Sequence, residues 1–410
     1  MSNSLATSGS TAGVRKKGLF GSIGPAFVTA ALVFGPGSIA TASGMGASFG
    51  YELLWVPVIA TILMLCFVNI GVRIGLSTDR SILGTVAHRL SGVVAIIVGI
   101  GSFLVVTSFQ AGNSAGTGAA SELLLGGNPD WYVIGFTIMA LIFVWIPKFY
   151  PALEKLMVVV ILVMLVAMTT TAVISKPEPN RILEGLVPTI PEGSTALIVG
   201  LAATTFSVVG ALYQIQLVRE KGWSTSDFKV ARRDAVLGTL ILGTLSAVIM
   251  IAAAATLKPA GLEADSPAAL AQILEPIGSW AVALFAVGLW AAAFSSLLGN
   301  STIGGNMLAG VLRIDTGGLS SAPVKVCISL VIILGCVIAV IFGGVPIQLI
   351  ITAQAVTILV VPLIGIVMLW LGRHRDRGQL RIALPQLVLG LVGLAFLFFL
   401  ATIYLVGIIS

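Results

Sequence analysis

The chain has 410 residues, of which 57% are hydrophobic and only 9% are charged, and its formal net charge is +6. So few charged residues cannot cover the surface of a water-soluble domain of this length. Apolar runs long enough to cross a bilayer recur along the sequence, which indicates a polytopic membrane protein whose first partner is the lipid bilayer.

A polar segment, residues 1–18, precedes the first apolar run. It ends with the basic residues Arg15, Lys16 and Lys17. It lacks the short apolar core and small-residue cleavage site of a secretory signal. We therefore predict a disordered cytoplasmic tail, followed by a single transmembrane domain over residues 19–410.

Eleven apolar segments follow in chain order, and we predict that each is a membrane-spanning helix. They lie near residues 19–48, 52–75, 92–125, 131–147, 150–175, 194–220, 232–257, 276–311, 322–344, 346–371 and 385–408. The first five form one predicted repeat (19–175), the next five form a second (194–371), and 385–408 is an extra helix. The predicted fold class is an all-α membrane protein.

The distribution of basic residues predicts how these helices are oriented. If the N-terminus is cytoplasmic, all but three of the 22 Lys and Arg residues fall on the cytoplasmic side, and only Lys176, Arg181 and Lys258 lie outside. Cytoplasmic loops are enriched in Lys and Arg. We predict a multi-pass protein of the plasma (inner) membrane with its C-terminus on the outer side. The basic excess then reflects orientation, and we expect no nucleic-acid partner.

The first span of each repeat contains residues that disrupt a helix. The first span carries "GPGS" at residues 35–38, and the sixth carries "TTFSVVGALY", with Gly210 inside it. Interrupted spans at corresponding positions are typical of inverted-repeat transporters that bind substrate at the bilayer midplane. We predict unwound segments near 35–38 and 205–211. Isolated glycines such as Gly46 are instead expected to let helices pack closely.

Four stretches together resemble one family, the Nramp divalent metal transporters. "GPGSIATASGMGASFGYELLWV" is similar to the family's first span, whose hallmark is DPGN, and "GALYQIQLV" is similar to the residues after its MPH motif. "AAAFSSLLGNSTIGG" and "ITAQAVTILVVPLIG" resemble its eighth and tenth spans. The resemblance covers residues 19–408 and implies a LeuT-like fold of eleven helices, a 5+5 inverted repeat plus one, with helices 1 and 6 unwound.

The residues that bind metal in this family are replaced here. The resemblance places Gly35 and Ser38 where the family has its motif aspartate and asparagine. It places Val208 and Gly210 where the family has its metal-binding methionine and nearby histidine. The chain thus resembles a divergent, Nramp-related branch without the metal-binding residues.

Positions implied in the family's proton pathway and tenth span also differ. The third-span acidic residues align with Gln110 and Asn113, and a tenth-span glutamine aligns with Val360, while Gln354 is kept. Intramembrane acids are the groups most able to carry protons. We therefore leave the coupling ion open. Gln110 and Asn113 could also simply hydrogen-bond a neighbouring helix.

Only neutral groups remain at the predicted site. The candidate substrate-binding residues are Gly35, Pro36, Gly37, Ser38, Gln110, Asn113, Thr204, Thr205, Ser207, Gly210, Tyr213, Gln214 and Gln354. Divalent cations usually require carboxylates, and soft metals require sulfur or imidazole. The N-termini of the two half-helices carry partial positive charge. We therefore predict no metal site, and a small inorganic anion such as bicarbonate as the substrate.

Several alternatives stay open at this point. A divalent cation such as magnesium or manganese could be bound by neutral oxygens, a neutral solute could be carried, or the fold could serve a sensor or structural role without transport. An enzyme is excluded because the sequence shows no nucleophile–base pair, no metal-ligand cluster and no phosphate-binding glycine loop. The preferred hypothesis is a secondary transporter that works by alternating access and needs no cofactor.

Overall fold

A computed structural model describes residues 34–146, 150–278, 280–314, 321–342, 346–373 and 382–409. Regular structure within these ranges is entirely helical. The helices are α1 (Pro36–Phe49), α2 (Trp55–Leu76), α3 (Ile82–Arg89), α4 (Gly92–Leu125), α5 (Pro129–Trp145), α6 (Tyr150–Ile174), α7 (Pro179–Glu184), α8 (Thr195–Thr205), α9 (Val208–Glu220), α10 (Phe228–Thr256), α11 (Pro267–Ala271), α12 (Ala281–Val311), α13 (Ala322–Ile341), α14 (Pro346–Val356), α15 (Val361–Arg373) and α16 (Leu384–Ile409).

The predicted membrane spans correspond to these helices. Seven of the described helices are long and apolar enough to cross a membrane, or eight if one bent pair counts as a single span. The shorter apolar helices 129–145 and 161–174 coincide with the fourth and fifth predicted spans. The predicted tail 1–18 and the first half of the first span lie outside the described residues. The total of eleven spans therefore stays a prediction.

Glycines inside the helices allow close packing, as expected for Gly46. A Cβ atom built on Gly46 of α1 would overlap the backbone oxygen of Met250 on α10. A Cβ atom on Gly71 of α2 would likewise overlap the backbone oxygen of Ala211 on α9. These helix pairs can approach so closely only because the interface residue has no side chain.

The first helix break differs in detail from the prediction. Gly35 has extended backbone angles, φ −106° and ψ −179°, and α1 begins at Pro36. Pro36, Gly37 and Ser38 therefore form the first helical turn, and the predicted unwinding over 35–38 was wrong for these three. The reason is that proline is favoured at the first position of a helix, where its missing N–H costs nothing.

The second break is shorter than predicted. α8 ends at Thr205 and α9 begins at Val208, so only Phe206 and Ser207 interrupt the helix, and the prediction of unwinding over 205–211 was too wide. The Ser207 hydroxyl accepts a hydrogen bond from the Gly210 N–H at 3.2 Å. This N-cap restarts the helix at once, and Gly210 lies inside its first turn.

A third bend, in the tenth span, was not predicted. α14 and α15 meet at 47° through a 3-10 turn at Thr357–Leu359. The Thr357 hydroxyl donates to the Gln354 carbonyl at 2.7 Å, and Pro362 in the first turn of α15 has no N–H with which to continue the α14 ladder. Pro362 was the signal in the sequence that could have indicated this bend.

The three basic residues predicted to lie on the outer side of the membrane share one cavity. Lys176, Arg181 and Lys258 line a space of about 920 Å³, so the connections that carry them meet at one end of the molecule. The Arg181 guanidinium pairs with the Glu178 carboxylate at 2.8 Å. In the same cavity, the pKa of the Tyr51 phenol is raised mainly by burial and to a lesser extent by the negative charge of Glu178.

Candidate functional site

A small cavity lies where α1 and α9 begin. Its volume is about 20 Å³, enough for about one water molecule. It is lined by Gly35, Gly37, Ser38, Val106, Phe109, Asn113, Thr204, Ser207, Val209, Gly210, Asn300, Ile303 and Gln354. The cavity thus brings together the two broken spans with α4, α12 and α14.

Two helix N-termini open into this cavity. Gly35 precedes α1 without a side-chain cap, and Ser207 precedes α9. The first N–H groups of a helix have no intrahelical acceptor. The N–H groups of Gly37 and Val209, both at cavity-lining residues, therefore have no acceptor within their own described helices and can donate to an occupant. Both helix ends also carry partial positive charge. Together they favour a negatively charged occupant.

The opposite polarity is contributed by the C-terminal end of α8. Thr204 lines the cavity in the last turn of that helix, where backbone carbonyls lack intrahelical partners. Its hydroxyl donates to the Leu201 carbonyl at 3.0 Å. This end offers acceptors of partial negative charge, which could contact a cation or a donor group.

The lining residues carry no ionisable side chain. Across the described ranges, no cluster of three or more His, Cys, Asp or Glu residues is placed to hold a metal ion. Any metal here would be held by neutral oxygens alone. Such oxygens do not compensate a divalent charge in a site from which water is excluded.

Three buried polar atoms around the cavity are without hydrogen-bond partners among the described residues. They are the hydroxyl oxygens of Ser38 and Ser296 and the Oε1 atom of Gln354. A Cβ atom at Gly37 would overlap the Gln354 side chain, so that amide lies directly on the first turn of α1. A buried polar group without a partner costs about 1–3 kcal/mol. This cost is offset if a ligand supplies the missing partners.

Gln110 does not line the cavity. Its Nε2 donates to the Leu297 carbonyl on α12 at 3.0 Å, and its Oε1 accepts from Asn113 Nδ2 at 3.4 Å. Gln110 therefore hydrogen-bonds a neighbouring helix, which was the second of the two roles considered for it. Asn113 lies at the cavity. The two residues share one helix face, but the Gln110 amide is held by the Leu297 carbonyl on α12, whereas Asn113 lines the cavity.

Four other predicted site residues also lie away from the cavity. Pro36 packs against Gly116, where a Cβ atom would come within 2.7 Å of the proline ring. Thr205 is buried beside the break without lining the cavity. Tyr213 and Gln214 are further along α9, beyond the first turn that faces the cavity. The remaining eight predicted residues line it.

Sequence reasoning missed the contribution of α12. Asn300 and Ile303 line the cavity, and the buried Ser296 hydroxyl lies 3.1 Å from where a Cβ atom at Gly35 would be. Ser296 and Asn300 are four residues apart and so share one helix face. That polar pair inside an apolar helix was the available signal. Val106, Phe109 and Val209 complete the lining and carry no polar side chain that could have marked them.

Comparisons with known proteins agree with this architecture. The family profile "Natural resistance-associated macrophage protein-like" (Nramp) matches residues 26–407. The divalent metal cation transporter MntH of Mycobacterium tuberculosis (strain CDC 1551 / Oshkosh) is 24% identical over 306 residues, which cover 71% of this chain and 70% of the relative. MntH of Klebsiella pneumoniae (strain 342) is 27% identical over 299 residues, 71% of this chain and 72% of the relative.

Solved structures show the same fold. The manganese transporter of Eremococcus coleocola superposes with a TM-score of 0.76 at 19% identity, covering 96% of this chain and 89% of that chain. Mhp1, a nucleobase-cation-symport-1 family transporter, superposes with a TM-score of 0.59 at 18% identity, covering 93% and 92%. The fold is LeuT-like, and these relatives are transporters, not enzymes. This chain therefore belongs to the Nramp family of multi-pass membrane transporters.

Proposed function

We propose that this transporter carries a small anion, of which bicarbonate is an example, through the cavity between α1 and α9. The observation that carries the proposal is the convergence of two helix N-termini on a space lined only by neutral residues. Donor N–H groups and aligned peptide dipoles stabilise negative charge. In the same space a bare cation would meet positive helix ends and no compensating carboxylate.

Transport of a divalent metal is the second candidate. The curated relatives are named divalent metal cation transporters, and the carbonyl end of α8 together with the Ser38 and Ser296 hydroxyls could contribute oxygens. Six or more oxygens, usually with carboxylates, are needed for such an ion. The described site has no side chain that supplies charge compensation, so we rank this candidate below the anion.

The cavity must widen to hold the proposed substrate. About 20 Å³ admits one water-sized occupant, whereas a planar oxyanion needs more room. The Gln354 side chain lies against Gly37 and can change rotamer. We expect the site to widen around this amide when substrate enters, while the helix N-termini keep their positions.

Substituting Ser207 tests the sign of the substrate charge. Asp and Asn are both good N-cap residues, so Ser207→Asp and Ser207→Asn both preserve the start of α9 and differ mainly in charge. At 4 Å and an effective dielectric of 20, two unit charges interact by about 4 kcal/mol. Relative to Ser207→Asn, we expect Ser207→Asp to weaken bicarbonate transport at least tenfold.

The measurement is bicarbonate, manganese and magnesium flux in proteoliposomes, with the size-exclusion profile as the folding control. If Ser207→Asp instead strengthens manganese or magnesium transport relative to Ser207→Asn, and wild-type protein moves no anion, the anion assignment is wrong. The divalent-metal candidate then takes its place.

A further inference from the structure

We propose that the site selects an oxyanion that carries one proton, as bicarbonate does, because Asn113 presents a hydrogen-bond acceptor beside Gly35. This inference rests on the proposed function and narrows its substrate class. In it, the O–H of the substrate donates to Asn113 Oδ1, and the charged oxygens of the substrate accept from the N–H groups at the starts of α1 and α9.

The orientation of the Asn113 amide follows from its neighbours. The Leu297 carbonyl can only accept a hydrogen bond, so the Gln110 atom 3.0 Å from it must be the amide nitrogen. Gln110 Oε1 then faces Asn113 and can only accept, so Asn113 must turn its own NH₂ group toward Gln110. Asn113 Oδ1 is consequently left on the other side of the amide.

That oxygen lies beside the cavity-lining glycine. Asn113 Oδ1 is 3.0 Å, and Ser296 Oγ 3.1 Å, from the position that a Cβ atom of Gly35 would occupy. Ser296 is fully buried, and its hydroxyl has no hydrogen-bond partner in the described parts of the chain. The two atoms therefore converge on the space that the missing side chain at position 35 leaves. One is a fixed acceptor, and the other is a hydroxyl that can donate or accept.

The cavity thus has an acceptor on one side and donors on the other. A buried acceptor that stays unpaired is costly, so an anion without an O–H group loses affinity at Asn113. Nitrate and formate are planar anions of similar size that lack this proton. Bicarbonate and hydrogen sulfite can carry it. Sites built to hydrogen-bond a substrate hydroxyl reject analogues that lack one strongly.

Gln110 is a positioning residue in this arrangement. It does not line the cavity, yet its bonds to Leu297 and Asn113 decide which face of the Asn113 amide meets the substrate. Gln110→Met keeps a similar side-chain length and removes both bonds. The Asn113 amide can then rotate and present its NH₂ group to the cavity, which would accommodate anions without a proton.

The test measures the uptake of labelled bicarbonate into proteoliposomes at one pH, with nitrate, formate and hydrogen sulfite as competitors. For the wild-type protein we expect nitrate and formate to compete at least tenfold more weakly than unlabelled bicarbonate, and hydrogen sulfite to compete well. For Gln110→Met we expect the preference for bicarbonate over formate to fall at least fivefold, with formate competing as well as before or better.

Two further variants separate this role from a general loss of structure. Ser102→Ala is the control: it removes a buried hydroxyl on α4 that has no partner among the described residues and does not line the cavity. This variant should leave the selectivity unchanged. Ser296→Ala should lower bicarbonate affinity while its size-exclusion profile stays as in the wild-type protein.

The outcomes are distinct. Wild-type protein that takes formate or nitrate as readily as bicarbonate, or a folded Gln110→Met variant with unchanged selectivity, overturns the inference and leaves an anion transporter in place. Wild-type protein that is inhibited by none of these anions and takes up no bicarbonate overturns the proposed function as well.

Discussion

Gly35 stands where the resemblance to the Nramp family places the motif aspartate. Its extended backbone leads directly into α1, and the space for a side chain is bordered by Asn113 Oδ1 at 3.0 Å and Ser296 Oγ at 3.1 Å. Two neutral oxygens from α4 and α12 therefore approach the space that a side chain at position 35 would occupy. A charge at this position would alter both the shape and the polarity of the cavity.

Gly35→Asp and Gly35→Asn test these two effects separately. Both side chains crowd Asn113 and Ser296, so both variants should transport bicarbonate more slowly than the wild-type protein. Gly35→Asp should transport bicarbonate at least tenfold more slowly than Gly35→Asn, because its carboxylate repels the anion. Lowering the pH at constant bicarbonate concentration should narrow that difference as the carboxylate is protonated. Manganese uptake that appears in Gly35→Asp while bicarbonate uptake stays at the wild-type rate would contradict the assignment.

At the scale of helices, the glycines decide how closely the elements around the site can approach. α1 contacts α10 through Gly46, where a Cβ atom would overlap the Met250 carbonyl and lie 2.8 Å from the Ala253 Cβ atom. α1 starts at the cavity, so its position against α10 also fixes where its positive N-terminus points. Close packing of small residues is the main specific interaction between helices in a bilayer.

Replacing Gly46 by alanine should therefore destabilise the protein. Overpacking of this kind typically costs about 1–3 kcal/mol, and here the obstacle is backbone, which cannot change rotamer. Gly135→Ala on α5 is the matched control, because a Cβ atom there meets nothing within 4 Å. We expect Gly46→Ala to lower the melting temperature in detergent and the yield of monodisperse protein, and Gly135→Ala to change neither. Equal melting temperatures for the two variants would show that α1 and α10 adjust freely.

For the whole molecule, the distribution of charge predicts the orientation in the membrane. Lys176, Arg181 and Lys258 meet at one end, whereas Arg80 and Arg89 line a separate cavity formed by α3 and the connection between α2 and α3. In the described residues these two groups of basic side chains line separate cavities, and we predict that the cavities lie on opposite sides of the membrane. Which of these ends faces the cytoplasm remains a prediction from the sequence.

Labelling of introduced cysteines measures that orientation. Lys258→Cys and Arg80→Cys place a thiol at opposite predicted sides, and both positions are exposed. An impermeant maleimide added to intact cells should label Lys258→Cys, and it should label Arg80→Cys only after permeabilisation. Cys66 and Cys327 are buried and Cys336 is half-buried, so Cys336→Ser provides the low-background parent. The reverse pattern of labelling would place the N-terminus outside.

The sequence predicted the features that depend on local properties. Hydropathy located the long apolar helices that the structure describes, because a membrane helix must present about 20 apolar residues to lipid. Gly35 and Pro36 marked the first break, because their backbone preferences act within a single turn. The absence of carboxylates at the matching motif positions was likewise visible, since identity at a position needs no coordinates.

Tertiary structure alone decided which polar groups face one another. In the sequence, Gln110 and Asn113 are two equivalent amides in an apolar helix. Only the packing of α12 against α4 lets Gln110 hydrogen-bond the Leu297 carbonyl and leaves Asn113 at the cavity. The hydroxyl of Ser296 reaches Gly35 across about 260 residues of sequence, a contact that no local pattern encodes. The sequence thus indicated two interrupted spans in a membrane transporter and the neutral residues beside them. Helices that are distant in sequence face one another according to how their small residues pack. That packing decided where the donors and acceptors of the cavity lie.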